Sequence, residues 1–160
     1  MKNIELLNLE KALKEVGGYP GVKFGYGVAK NLNIIESEIK AINKASEPSK
    51  VWQEYDKKRV DLAIKHAEKD ANKIPKRTPP DAQGRFSYII ADETAFSKDW
   101  DELKAKYKDA LDKREKQEAE WLEFLEKETA KIVFHKIKLS DVPKEITGNQ
   151  LANIYQLIEQ

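Results

Sequence analysis

The chain has 160 residues, 29 basic against 28 acidic side chains, 36% charged and 40% apolar residues, and no cysteine. Those totals fit one domain able to bury a core without staples, and they exclude disulfides, thiolate metal sites and thiol chemistry. A net charge of +1 gives no global attraction for nucleic acid or an anionic membrane, so any such binding must be local.

The opening Met1-Lys2-Asn3-Ile4-Glu5 is too polar for a signal peptide, and no apolar run approaches the roughly 18 residues of a membrane span. A cytoplasmic protein with no membrane partner is the expectation. Ile4, Leu6, Leu7 and Leu9 read as a strand over about residues 3–8, with Asn8 as N-cap of a helix from Leu9 to Val16. Gly17-Gly18 would end that helix through a left-handed cap.

Pro20 can start the next helix, in which Phe24, Val28, Leu32, Ile35, Ile39 and Ile42 recur at steps of four and three up to about Ala45. Gly21, Gly25 and Ala29 leave one flank without bulk, as close approach of another backbone would require. Gly25-Tyr26-Gly27 with Lys30 lacks the spacing of a phosphate-binding loop.

Pro48 begins a helix expected from Val51 to about Ile74, with Trp52, Tyr55, Arg59, Leu62 and His66 on one face. From Ser97 to about Lys131, Trp100, Leu103, Tyr107, Ala110, Arg114, Gln117, Trp121 and Phe124 repeat the heptad rhythm of a helix lying along another helix. Lys57 to Arg77 holds eight basic and three acidic residues, whereas Asp92 to Glu128 holds thirteen acidic and eight basic. Opposed fields of +5 and −5 favour pairing of the two in one antiparallel, coiled-coil-like hairpin over about residues 50–130. Heptad seams also pair between chains, so a homo-oligomer is compatible with the pattern.

The connection over 75–91 carries Pro75, Pro79, Pro80 and Gly84 and is not helical through its first half. Phe86, Tyr88 and Ile90 alternate with their neighbours, which predicts a short strand or ordered flap at the hairpin tip and a contact surface. Residues 132–139 read as a second terminal strand, paired with the first. Thr147-Gly148-Asn149-Gln150 is a capping box opening a C-terminal helix over about 148–159. The fold class is α+β, helix-dominated, with a small sheet from the two chain ends.

No catalytic, cofactor or metal site emerges. His66 and His135 lie on different elements without HxxxH or HExxH spacing, and His66 reads as a packed, hydrogen-bonded seam residue. No GxSxG or Walker sequence occurs, and the many carboxylates of the acidic helix read as a charged surface, so no enzyme is expected. A stripe of Lys58, Lys65, Lys69, Lys73, Lys76 and Arg77 could grip phosphates, but it equally complements the acidic helix, and nucleic acid is not the expected partner. Glu118, Glu120 and Glu123 could instead occupy a basic groove on a host defence or nucleic-acid-processing protein.

The ending Ile137-Lys138-Leu139-Ser140-Asp141-Val142-Pro143-Lys144-Glu145-Ile146-Thr147-Gly148-Asn149-Gln150-Leu151 resembles that of a family of small bacteriophage-encoded proteins of unknown function. The layout is similar too: a short N-terminal run, a first helix like Val22 to Ile42, a charged helical middle and a basic strand before a final helix. The resemblance implies a phage origin, a place in the host cytoplasm or on the virion, and a role in particle assembly or in handling the host. The reading is therefore of a non-enzymatic protein-binding factor, its contact residues Phe86, Tyr88 and Ile90 and the acidic trio, its partner a phage or host protein.

Overall fold

The computed structural model describes residues 1–159. Among them are six helices: α1 (Asn3–Val16), α2 (Val22–Ala45), α3 (Lys50–His66), α4 (Glu93–Lys106), α5 (Lys108–Leu125) and α6 (Gly148–Ile154). The only sheet among the described residues is a parallel pair, β1 (Ile137–Lys138) with β2 (Ile158–Glu159), in the register Ile137 to Ile158. The protein is helix-dominated.

Two compact units divide the chain, one of residues 1–47 and 118–160, the other of residues 48–117. The first holds the main core. Leu6, Leu9, Leu13 and Val16 of α1 face Phe24, Val28, Ile35, Ile39 and Ile42 of α2, together with Ile137, Ile154, Leu157 and Ile158. Trp121, Phe124 and Leu125 pack against this cluster.

The expected strand over residues 3–8 is a helix. Leu6, Leu9, Leu13 and Val16 recur at three and four, and burying that whole stripe outweighs a short apolar run that fits either period. Its first turn is held by the Glu5 carboxylate, which accepts the Lys2 backbone N–H at 2.8 Å. Gly17 follows in right-handed conformation, φ −65°, so no left-handed cap ends this helix. The N-terminus still meets a later segment. Asn3 N–H donates to the Lys127 carbonyl at 3.0 Å, and Lys2 bridges to Glu128.

The second terminal strand shrinks to Ile137–Lys138, since its partner is the chain's last turn and not residues 3–8. The C-terminal helix likewise ends at Ile154. A 3-10 turn over Tyr155–Leu157 follows, and then β2. Its start matches expectation, with Thr147 and Gln150 forming a capping box.

The tight contact on α2 falls at Gly27, not on the Gly21, Gly25 and Ala29 flank, and it is made by a side chain and not by another backbone. A Cβ on Gly27 would sit 2.6 Å from Ile137 Cγ1, while Gly25 has nothing within 4 Å. Gly21 serves as the N-cap, at φ 125°, a conformation that favours glycine.

The continuous helices expected over 51–74 and 97–131 are both interrupted. The first ends at His66, where residues 67–69 take up bridges to Ile90 and Pro75. The second breaks at Tyr107, whose φ of −109° and ψ of 18° leave the helical region. The helices α3 and α4 pack together, with the Tyr55 and Tyr107 rings 5.7 Å apart.

Candidate functional site

Residues 66–91 form an ordered excursion of three extended pieces. Thr78 N–H donates to the Ser87 carbonyl at 2.8 Å and Ile89 N–H to the Lys76 carbonyl at 3.1 Å, which makes residues 76–78 and 87–89 an antiparallel ribbon. The third piece closes on both: Glu68 N–H donates to Ile89, and Lys76 N–H to Glu68. Each of the two turns is built on an aspartate. The Asp70 carboxylate accepts the N–H groups of Asn72 and Ile74, and the Asp81 carboxylate those of Gln83 and Arg85. Those backbone bonds, together with the Arg85 guanidinium, hold the Asp81 carboxyl below its ordinary pKa.

The ribbon turns Phe86, Tyr88 and Ile90 to one face, as their alternation requires. They line a groove of about 440 Å³ with Arg59, Val60 and Ala63 of α3 and Phe96 and Trp100 of α4. Phe86 stands edge-on to Tyr88 with centroids 5.8 Å apart, and Phe96 leans on Trp100 at 5.5 Å. The Arg77 guanidinium lies 4.2 Å from the Phe86 ring centre and 5.3 Å from that of Tyr88. Arg59 reaches Asp56 Oδ1 through Nε at 3.0 Å and Nη2 at 2.7 Å. No carboxylate lines the groove.

The six cations of the predicted stripe do not share one helix. Lys58 pairs with Glu54 and bonds the Tyr107 hydroxyl, each at 2.8 Å, which raises the lysine's pKa; the same lysine, and then the Tyr107 hydroxyl, lower that of Glu54. Lys65 pairs with Asp99 at 2.7 Å, and Lys76 with Glu68 at 3.0 Å. Lys69, Lys73 and Lys76 lie beyond the end of α3, and Arg77 is stacked on rings. The helix they were to share stops at His66, so the periodicity that aligned them does not operate.

His66 is packed between Asp99, 2.8 Å from its Nε2, and the Phe96 ring. The Lys65 and His66 hydrogen bonds hold the Asp99 carboxyl below its ordinary range. The acidic trio Glu118, Glu120 and Glu123 is exposed on α5 and belongs to the first unit, as Phe86, Tyr88 and Ile90 belong to the second.

Sequence reasoning found the ribbon half of this groove; of the helical half it named Arg59 and Trp100, as seam residues, and missed Val60, Ala63 and Phe96. Phe96 precedes the seam counted from Trp100, and Val60 and Ala63 lie off the Tyr55, Arg59, Leu62 stripe. The signal lay in reading α3 for a second, narrower apolar flank at Val60, Ala63 and Ala67.

Among the described residues no cluster of three or more His, Asp or Glu side chains could hold a metal ion, and no helix is long and apolar enough to cross a membrane. No protein-family model, curated protein or solved structure matches the chain.

Proposed function

We propose that this chain is a non-enzymatic protein-binding factor, phage-encoded as the likeness over 137–151 implies and active in particle assembly, whose contact surface is the groove of the second unit. The observation that carries the reading is the lining: four aromatic rings and three aliphatic side chains beside Arg59, with Phe86 45% exposed. Aromatic and arginine side chains dominate the energetics of protein interfaces, because they bury much area and keep a polar or cationic handle. In this reading α3 and α4 act as a helical hairpin that holds the ribbon in place.

The test is capture from phage-infected cells with the wild-type chain and with the double variant Phe86→Ala, Trp100→Ala. Recovery of a virion or assembly protein by the first and not by the second is expected. Equal recovery by both, or recovery of no such protein, would refute the assignment.

The exposure of Glu118, Glu120 and Glu123 along one helix favours a second reading, an inhibitor that fills a basic groove on a host defence or nucleic-acid-processing protein. Reversing the three charges would abolish binding under that reading and leave it intact under the first.

A further inference from the structure

The segment 86–90 has one satisfied edge and one open edge. Ser87, Ile89 and Ala91 direct their backbone groups inward: Ser87 N–H to Thr78 Oγ1 at 3.0 Å, Ile89 N–H to Lys76, Ala91 N–H to His66, and the Ser87 and Ile89 carbonyls to Thr78 and Glu68. Phe86, Tyr88 and Ile90 are the intervening residues. Arg77–Tyr88 and Ala67–Ile90 are the non-hydrogen-bonded pairs of their bridges, so the N–H and C=O groups of Tyr88 and Ile90 point away from the ribbon, and among the described residues no backbone partner meets them. An unpaired row of alternating donors and acceptors is a template for another strand.

That edge belongs to the residues whose side chains line the groove, the arrangement in which main-chain pairing supplies affinity and pockets for alternate side chains supply selectivity. The charges fix the occupant further. Arg59 of the groove wall is already paired with Asp56, Arg77 beside the groove makes no ion pair among the described residues, and no carboxylate lines the groove, so the Arg77 guanidinium is the charge left for an incoming segment. An incoming segment with apolar residues at alternate positions and at least one Asp or Glu complements this surface. A second copy of this chain does not, since pairing two such edges gathers two unpaired Arg77 guanidinium groups at one interface.

We infer that the open edge of residues 86–90 takes an extended, acidic and apolar peptide segment of a protein partner as an added β-strand. The inference rests on the groove being the binding surface and adds the mode of binding to it.

Random linear peptides displayed on particles and selected on the full chain provide the probe. Selected sequences are expected to alternate apolar residues and to carry an acidic one. In the best peptide made synthetically, N-methylation at every second amide should weaken binding by about tenfold per site, a hydrogen bond's worth, and should have little effect at the amides between. Hydrogen exchange at Tyr88 and Ile90 should be fast in the free protein and slowed in the complex. A peptide that binds, loses binding to the Phe86→Ala, Trp100→Ala variant, and yet shows no alternation in the methylation series or protection of those amides overturns the added strand and leaves the groove standing. Failure to select any peptide on the wild-type chain above that variant, itself checked for retained helix content, overturns both. Selection of peptides without acidic residues, bound equally well by Arg77→Gln, overturns the charge assignment.

Discussion

Asn31 and His135 are joined by two hydrogen bonds across 104 residues of sequence: the side-chain amide donates to the His135 carbonyl at 2.9 Å and its oxygen accepts the His135 N–H at 2.9 Å. The same amide donates to the Gly27 carbonyl at 3.0 Å, and the residue has no exposed surface. A strand neighbour would satisfy His135 in a larger sheet; here one side chain on α2 does so. Asn31→Ala leaves a part-buried N–H and C=O without partners, at a cost of about 1–3 kcal/mol. Urea unfolding followed by far-ultraviolet circular dichroism should show a lowered midpoint with an unchanged slope. An unchanged midpoint would mean that water replaces the amide.

Gly27 stands one helical turn before Asn31 and takes part in the same docking. Alanine there gains about 1 kcal/mol of helix propensity, but its Cβ would lie 2.6 Å and 3.0 Å from Ile137 Cγ1 and Cδ1. Ile137 is 3% exposed and hydrogen-bonded into the parallel pair, so it cannot swing aside without moving β1. Overpacking of this kind costs about 1–3 kcal/mol, so Gly27→Ala should be destabilising by thermal melt, whereas Gly25→Ala, with open space around it, should be stabilising. The opposite ranking would contradict the packing of β1 on α2.

The sequence carried the elements whose signals are local. Phe24, Val28, Ile35, Ile39 and Ile42 are buried as their spacing predicts, and Thr147 with Gln150 caps α6 through their own side chains. Illegible were the boundaries set by distant partners. No glycine or proline stands between His66 and Ile74; α3 stops because Glu68 pairs with Ile89 and Lys76, residues that only the folded chain brings near. Asn8 resembled a cap but lies inside α1, and the short Ile4 to Leu7 run fits both periods. Half of the groove was legible for the same reason. The alternation of Phe86, Tyr88 and Ile90 is a local pattern, while their meeting with Phe96 and Trp100 is tertiary.

Asp99 gives the second unit a pH dependence. Hydrogen bonds from Lys65 and then from His66 depress its pKa in the folded state. A depressed carboxyl stabilises the fold fully above its unfolded value, about 4, and the contribution is lost as pH falls through the lower folded value. Stability should therefore decline on acidification from about pH 5 downward, and Asp99→Asn should flatten that part of the profile while lowering stability at neutral pH. Parallel profiles for the two proteins, measured by urea midpoint at each pH, would rule out this linkage.

Tyr107 combines two roles that its variants separate. Its hydroxyl donates to Glu54 Oε1 at 2.7 Å and accepts Lys58 Nζ at 2.8 Å, while its ring, 7% exposed, packs on Tyr55 at the break between α4 and α5. Lys58 and Glu54 also touch each other at 2.8 Å and are both partly solvated, so removing the hydroxyl leaves neither charge stranded. Tyr107→Phe should thus cost about 0.5–1.5 kcal/mol, the net worth of an ordinary hydrogen bond. Tyr107→Ala also loses the ring and leaves a void against Tyr55, for a total of about 3–5 kcal/mol, the cost of emptying a buried aromatic site. If the Tyr107 corner were held to α3 mainly by the polar triad and not by the ring pair, the two variants would melt together; a gap of several degrees between them is expected.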